Sequence, residues 1–132
     1  MSKLKTGFRA GAIAFGMLAL SSGFAAANDF MNAKEIQTLM AGNSISGVHK
    51  GTPYKQNNHA DGIAVVWMKG DKVRNIPWHV NDKDQYCEDW GEWGVICFNF
   101  MKLPDDKIKS VRTDGVEGVA NWHKGFIDLN HE

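Results

Sequence analysis

Apolar and polar residues alternate along much of the chain after residue 43, a pattern typical of β-strands with one buried face. The clearest alternation runs through Ile76, Trp78 and Val80, and the intervening Pro77 indicates a sheet edge or a bulge. Residues 63 to 68 are all apolar and rich in β-branched side chains, which indicates a buried strand. Turn residues recur every eight to twelve positions. These features predict a mainly β fold, a small antiparallel barrel or sandwich of six to eight strands.

One short helix is predicted ahead of the strands, from Phe30 to Ala41. Asn32 is a suitable N-cap, and Glu35 three residues later completes a capping box. Gly42 supplies the C-terminal stop. The apolar residues at helical spacing are Ile36, Leu39 and Met40. Because so short a helix is marginal alone in water, we expect it to lie against a sheet or close one end of a barrel.

Both cysteines fall in one predicted hairpin, where Cys87 and Cys97 each lie five residues from Glu92. A three-residue loop of residues 91 to 93 would place them directly opposite each other on paired strands. Opposed Cβ atoms are then about 4.5–5.5 Å apart, close to the spacing of a disulfide. A zinc or redox pair is the alternative, but such sites use the closer Cys-x-x-Cys spacing. We predict a structural disulfide, with Tyr86, Glu88, Ile96, Phe98 and Phe100 sharing one face.

A second hairpin is predicted around Gly70-Asp71, a pair typical of two-residue loops. That loop would pair Trp67 with Arg74. One face would then carry Ile63, Val65, Trp67, Ile76, Trp78 and Val80. Arg74 would lie at the mouth of this face, either over the Trp67 ring as a cation–π pair or with its stem along the indole edge.

The first 27 residues have the parts of a secretory signal peptide. A basic region is followed by the apolar stretch Ala10 to Leu20 and by small residues ending at Ala27. The pattern predicts cleavage after Ala27 and a mature single domain of residues 28–132, in the periplasm or secreted. Because the apolar stretch is shorter than the roughly 20 residues of a membrane helix, we expect no membrane span after its removal.

Removal of this leader changes the charge of the chain. The whole sequence has 15 basic and 15 acidic residues, and the leader contains three of the basic ones and no acidic one. The mature chain therefore has 12 basic and 15 acidic residues, a formal charge of −3. A weakly negative chain without a basic stripe argues against a nucleic-acid partner. Since the sequence contains no phosphate-binding loop or nucleophile elbow, we assign it no cofactor and no catalytic residue.

The order of these motifs resembles a family of small exported bacterial envelope proteins catalogued as a domain of unknown function. The shared pattern comprises a helix with Glu35 and Leu39, then Gly42-Asn43-Ser44-Ile45-Ser46-Gly47, Trp78-x-Val80, Cys87-x-x-Trp90, Cys97-Phe98 and Ile108-x-x-Val111. The chain departs from it at Asn121-Trp122-His123, where the family has a Gly-Asn-Pro-type ending. The resemblance implies an exported, disulfide-bonded β-fold of lipocalin-like form, and it implies no activity.

Aromatic and charged residues near the two hairpins are the candidates for binding: Trp67, Arg74, Glu88, Trp90 and Trp93. Five tryptophans in so short a chain either fill the core or line a binding surface. Trp93, in the predicted loop beside Gly94, is the candidate for an exposed anchor. His59 and Asp61 offer two metal ligands where three or four are usual, so we predict no metal site.

We therefore expect an exported, periplasmic, non-enzymatic protein that binds a small hydrophobic molecule, an envelope component or a partner protein. One alternative is an accessory subunit of a larger envelope complex with Trp93 as its anchor. Another is a small hydrolase that uses Glu88 with Asp89 or Glu92, since paired carboxylates beside tryptophans are typical of sugar-cleaving sites.

Overall fold

A computed structural model describes residues 29 to 129. The predicted signal peptide and its cleavage site lie outside the described residues. The chain divides after Phe30, and the residues from Met31 onward form one compact unit. The single mature domain with a boundary after residue 27 stays a prediction.

Eight antiparallel strands follow one short helix and close into a barrel in which each strand pairs with its neighbours in sequence. The elements are α1 (Ala33–Met40), β1 (Asn43–His49), β2 (Thr52–Asn58), β3 (Ile63–Met68), β4 (Arg74–Val80), β5 (Tyr86–Asp89), β6 (Val95–Leu103), β7 (Lys107–Arg112) and β8 (Glu117–His123). Pairing of β8 with β1 closes the barrel, so the sandwich alternative is wrong. The mainly β fold with one N-terminal helix is confirmed.

The helix α1 closes one end of the barrel. Its capping box is formed as predicted, because the Asn32 side chain accepts from the Glu35 N–H and the Glu35 carboxylate accepts from the Asn32 N–H. Ile36 and Met40 are fully buried. The indole of Trp122, at the end of β8, donates to the carbonyl of Leu39 at 2.9 Å. The predicted helix is confirmed over Ala33–Met40, so it begins three residues later and ends one residue earlier than predicted.

The cysteine hairpin has the predicted register. Cys87 pairs with Cys97, Tyr86 with Phe98, and the two cysteines form a disulfide. A 3₁₀ turn of Gly91–Trp93 makes the loop. The Trp90 N–H donates to the Gly94 carbonyl at 2.9 Å, which closes the three-residue loop.

The predicted register of the second hairpin is wrong by one residue. Ala64 pairs with Ile76 and Val66 pairs with Arg74. The connection between β3 and β4 contains five residues, 69 to 73, in place of two. Since side chains alternate along a strand, this slip turns Ile63, Val65 and Trp67 away from the face that holds Ile76 and Trp78. The inward residues of β3 are Ala64, Val66 and Met68.

Gly47 and Pro77 are residues that strand interiors rarely contain, and both pair with a neighbouring strand here. Gly47 pairs with Tyr54 in an unbroken β1–β2 ladder, so it forms no bulge. A Cβ at Gly47 would lie 3.2 Å from the Tyr54 ring, and glycine therefore makes room for that side chain. Pro77 pairs with Ile63 of β3 without a bulge, but the β4–β5 ladder begins only at Trp78, so Pro77 lies at a locally unpaired edge of β4, in agreement with the prediction of an edge.

Candidate functional site

The end of the barrel opposite α1 opens into a cavity of about 310 Å³. Alternate residues of the strands line it, because every second side chain of a barrel strand points inward. Its aromatic lining comes from β2, the cysteine hairpin and β6: Tyr54, Tyr86, Trp90, Trp93, Phe98 and Phe100. Aliphatic side chains such as Ile45, Val66 and Met68 complete most of the wall. The cavity is therefore mainly apolar.

A polar cluster lies inside this apolar wall, centred on the carboxylate of Glu88. Its Oε2 accepts from the Tyr86 hydroxyl at 2.7 Å and from Gln56 Nε2 at 2.9 Å. Its Oε1 accepts from Trp90 Nε1 at 3.0 Å. Asn58 Nδ2 donates to the Tyr86 hydroxyl at 2.8 Å. Glu88 is only 6% exposed, so its position is fixed by these neighbours rather than by solvent.

Burial and the Glu88 carboxylate together change the acidity of the two phenols beside it. Burial raises the pKa of Tyr54 to about 12, and repulsion between a phenolate and Glu88 contributes in the same direction. For Tyr86, burial raises the pKa well above its ordinary value, again with a contribution from Glu88. Both side chains are therefore neutral phenols at pH 7, and Tyr86 donates its one hydroxyl proton to Glu88.

The mouth of the cavity is formed partly by the loop of the cysteine hairpin. The Trp93 ring lies 6.2 Å from the Trp90 ring, measured between centroids, and the Arg74 guanidinium lies 5.4 Å from the Trp93 ring. Arg74 is also bound to Asp71, with Nε 2.8 Å from Oδ2. Trp93 is nevertheless 63% exposed, as expected for a loop tip. It therefore extends the apolar wall beyond the rim of the barrel.

The short β1–β8 ladder leaves the entrance of the cavity wider on one side. Within residues 29 to 129, the paired residues of this ladder run only from Ser44–His123 to Ser46–Asn121. Val48 and Val119 lie beyond the last pair, toward the mouth, and are 64% and 55% exposed. Both also line the cavity, although their positions in the strands point outward. The cavity is consequently reached from the end and from this side.

The structure brings together four of the five predicted binding residues. Glu88, Trp90 and Trp93 line the cavity, and Arg74 stands beside Trp93 at the mouth. Trp67 is on the outer face of β3, with Lys55 Nζ 5.6 Å from its ring, and is not part of this cavity. The predicted contact of Arg74 with Trp67 is therefore wrong, and the one-residue slip of the hairpin is the cause.

The carboxylates proposed for a hydrolase do not face one another. Asp89 follows Glu88 in β5, so the two side chains point to opposite faces of the strand. The Asp89 carboxylate accepts from the Gly91 N–H at 2.9 Å in the loop. Glu92 lies at the outer mouth beside Arg74 and Trp90. No second carboxylate among the described residues lines the cavity with Glu88.

Histidine and the charged residues form no group suited to a metal ion in residues 29 to 129. The ring of His59 lies 4.4 Å from that of Phe126, between centroids. In the same part of the chain, no helix has the length and apolarity that crossing a membrane requires.

Sequence reasoning missed the contribution of β2 to the site. Tyr54, Gln56 and Asn58 point inward and surround Glu88 and Tyr86, but most residues of this strand are polar, so its sequence does not show which face is buried. The inward residues Tyr54, Gln56 and Asn58 are spaced two apart, as expected for one face of a strand. Because Gln56 and Asn58 are polar, this spacing does not appear as an alternation of apolar and polar residues.

Comparisons with protein-family models, curated proteins and solved structures give no match to this chain.

Proposed function

We propose that the protein is a non-enzymatic binding protein that holds a small, largely apolar molecule inside its barrel. The observation that carries this proposal is the open, mainly apolar cavity of about 310 Å³ with a single buried polar cluster. Ligand sites of proteins are concave, mostly apolar, and contain a few placed polar groups that orient the ligand. An eight-stranded up-and-down barrel is also the architecture in which lipocalins enclose a ligand.

The shape of the wall supports binding over a purely structural core. A closed barrel of eight strands is just wide enough for its own side chains to fill. Here the inward positions of β7 and β8 carry small residues at Ser110, Gly118 and Ala120, which leave the space that the opposite aromatic side chains do not occupy. Unfilled apolar volume lowers stability, so a retained cavity with an entrance favours an occupant.

Binding is tested by blocking the cavity at Gly118. Its backbone is not in the left-handed region, and a Cβ there would meet only Ser110 Oγ, at 3.4 Å. Gly118→Phe should therefore fold and place a ring in the entrance, whereas Gly118→Ala is the matched control. We expect saturable binding of the neutral apolar dye N-phenylnaphthylamine to the unmodified protein and to Gly118→Ala. Gly118→Phe should weaken it by about tenfold or more, as expected for a filled site.

Two outcomes would contradict the proposal. One is the absence of saturable dye binding to the folded, unmodified protein. The other is equal binding by Gly118→Phe and Gly118→Ala, both with unchanged circular dichroism, because the dye would then bind outside the cavity.

We also propose that the protein belongs to the envelope family that its motifs resemble and acts in the periplasm or after secretion. The disulfide between Cys87 and Cys97 supports this location, since such bonds persist in oxidising compartments. The signal-peptide pattern of residues 1 to 27 supports it independently. N-terminal sequencing of protein recovered from the periplasm should begin at Asn28. Recovery of the uncleaved chain from the cytoplasm would refute the location.

A further inference from the structure

The Glu88 carboxylate has an unusual electrostatic position. It is more than nine-tenths buried, and its three hydrogen-bond donors are a phenol, an amide and an indole, all of them neutral. An ionised carboxylate has about four acceptor positions, so one remains open on the side of Oε1. Burying a charge without a charged partner is unfavourable unless another group compensates for it.

No cationic side chain among residues 29 to 129 forms an ion pair with Glu88. The ion pairs in this part of the chain are Arg74–Asp71, Lys109–Glu117 and Arg112–Asp114. Arg112 lines the cavity toward its mouth, but its guanidinium is engaged by Asp114, with Nε 3.0 Å from Oδ1. The interior thus presents one buried carboxylate that forms no ion pair with the cationic side chains of this part of the chain.

The groups around Glu88 suit a cation with an apolar body. Tyr54, Tyr86 and Trp90 place electron-rich ring systems beside the carboxylate, and aromatic rings attract ammonium groups. Much of the remaining wall is apolar and includes Val66, Met68 and Phe98. A volume of about 310 Å³ equals roughly ten water volumes, so about ten non-hydrogen atoms of a ligand fit inside the cavity and the rest of a larger molecule extends through the mouth.

We propose that the occupant is a monocationic amine with a compact apolar body, whose ammonium group binds the Glu88 carboxylate. This inference rests on the proposed binding function and specifies the chemical class of its ligand. The ammonium donates to Oε1 of Glu88 beside Trp90, and the apolar part lies against the wall toward the mouth. Neutral alcohols and carboxylates of the same length leave the buried charge uncompensated or add a second negative charge to it.

The test compares three probes of equal chain length, octylamine, octanol and octanoate, by titration calorimetry of the unmodified protein at pH 7. Because hydrogen bonds between two charged groups are stronger than neutral ones, we expect octylamine to bind about tenfold or more tightly than octanol. Octanoate should bind more weakly than octanol. Equal or tighter binding of octanol or octanoate would overturn the inference, and this comparison does not depend on any variant.

Glu88→Gln removes the charge and keeps the size of the side chain. It should weaken octylamine binding by about tenfold and change octanol binding by about threefold or less. Glu117→Gln is the matched control, since it removes one carboxylate on the outer face of β8, where Glu117 pairs with Lys109 at 3.3 Å. An unchanged preference for octylamine in a folded Glu88→Gln protein would overturn the inference.

The failure of this inference is distinguishable from that of the proposed function. If octanol and N-phenylnaphthylamine bind within the cavity without a preference for octylamine, the cavity binds apolar molecules and only the ligand class is wrong. If none of the probes binds to the folded protein, both proposals fail.

Discussion

Replacement of Trp78 by alanine should remove a large part of the stability of this domain. Trp78 is 5% exposed, and its ring lies 5.7 Å from that of Tyr86, between centroids. Its indole N–H donates to the His59 carbonyl at 3.0 Å. Burial of roughly 200 Å² of indole surface at about 25 cal/mol per Å² corresponds to about 5 kcal/mol, an upper estimate. Measured losses for buried tryptophans indicate about 3–5 kcal/mol, which is comparable to the whole stability of a small domain.

Trp93→Ala is the matched control, because it deletes the same side chain from a site that is 63% exposed. Its contacts with Trp90 and Arg74 lie at the surface, so we expect a loss of no more than about 1 kcal/mol. Urea unfolding of both variants, followed by far-ultraviolet circular dichroism, measures the difference at an unchanged slope. A loss for Trp93→Ala equal to that for Trp78→Ala would refute the assignment of one residue to the core and the other to the mouth.

Two further predictions follow from the buried side chains of the cysteine hairpin and its neighbours. The two tyrosines of the chain, Tyr54 and Tyr86, both have raised pKa values, so the folded protein should show little phenolate absorbance at pH 10.0, the ordinary pKa, whereas urea-unfolded protein should show about half. Because folding favours the neutral phenols, the tyrosines contribute fully to the free energy of unfolding below pH 10.0, and this contribution is lost as the pH rises toward 12. Titration of both tyrosines near pH 10.0 in the folded protein would contradict their burial. Joint replacement of Cys87 and Cys97 by alanine opens a loop of sequence separation 10 and should lower the free energy of unfolding by about 2–3 kcal/mol in urea; an unchanged midpoint would show that the disulfide does not stabilise the fold.

The cysteine hairpin was predictable from sequence because its determinants are local. The glycines at 91 and 94 adopt positive φ angles of 66° and 89°, which tight loops require. The symmetric spacing of Cys87 and Cys97 about Glu92 then admits one register in which a disulfide forms. The loop glycines and the disulfide both require the same pairing of β5 with β6, so the sequence is compatible with no other register of this hairpin.

The neighbouring hairpin was not predictable because neither determinant of register was decisive. Gly70-Asp71 is a common two-residue loop, yet the structure uses all five residues from 69 to 73. The hydrophobicity of the two faces of β3 does not identify the register either. One face has Ile63, Val65 and Trp67, and the other has Ala64, Val66 and Met68. Because both faces are apolar, a one-residue slip changes the predicted burial of apolar side chains very little, and only the closed barrel distinguishes the observed register from the predicted one.

The polar character of β2 explains why its contribution to the site escaped prediction, and it also supports the proposed function of the site. A barrel that needed only stability would face its core with apolar side chains, as β3 and β6 mostly do. In β2 the inward positions beyond Tyr54 are Gln56 and Asn58, both buried, and both belong to the hydrogen-bond network of Tyr86 and Glu88. Replacing a buried polar network by apolar residues is often neutral or stabilising, so stability alone does not account for it. The network holds one carboxylate at a fixed position in an apolar cavity, and this arrangement supports the proposed binding of a cationic ligand.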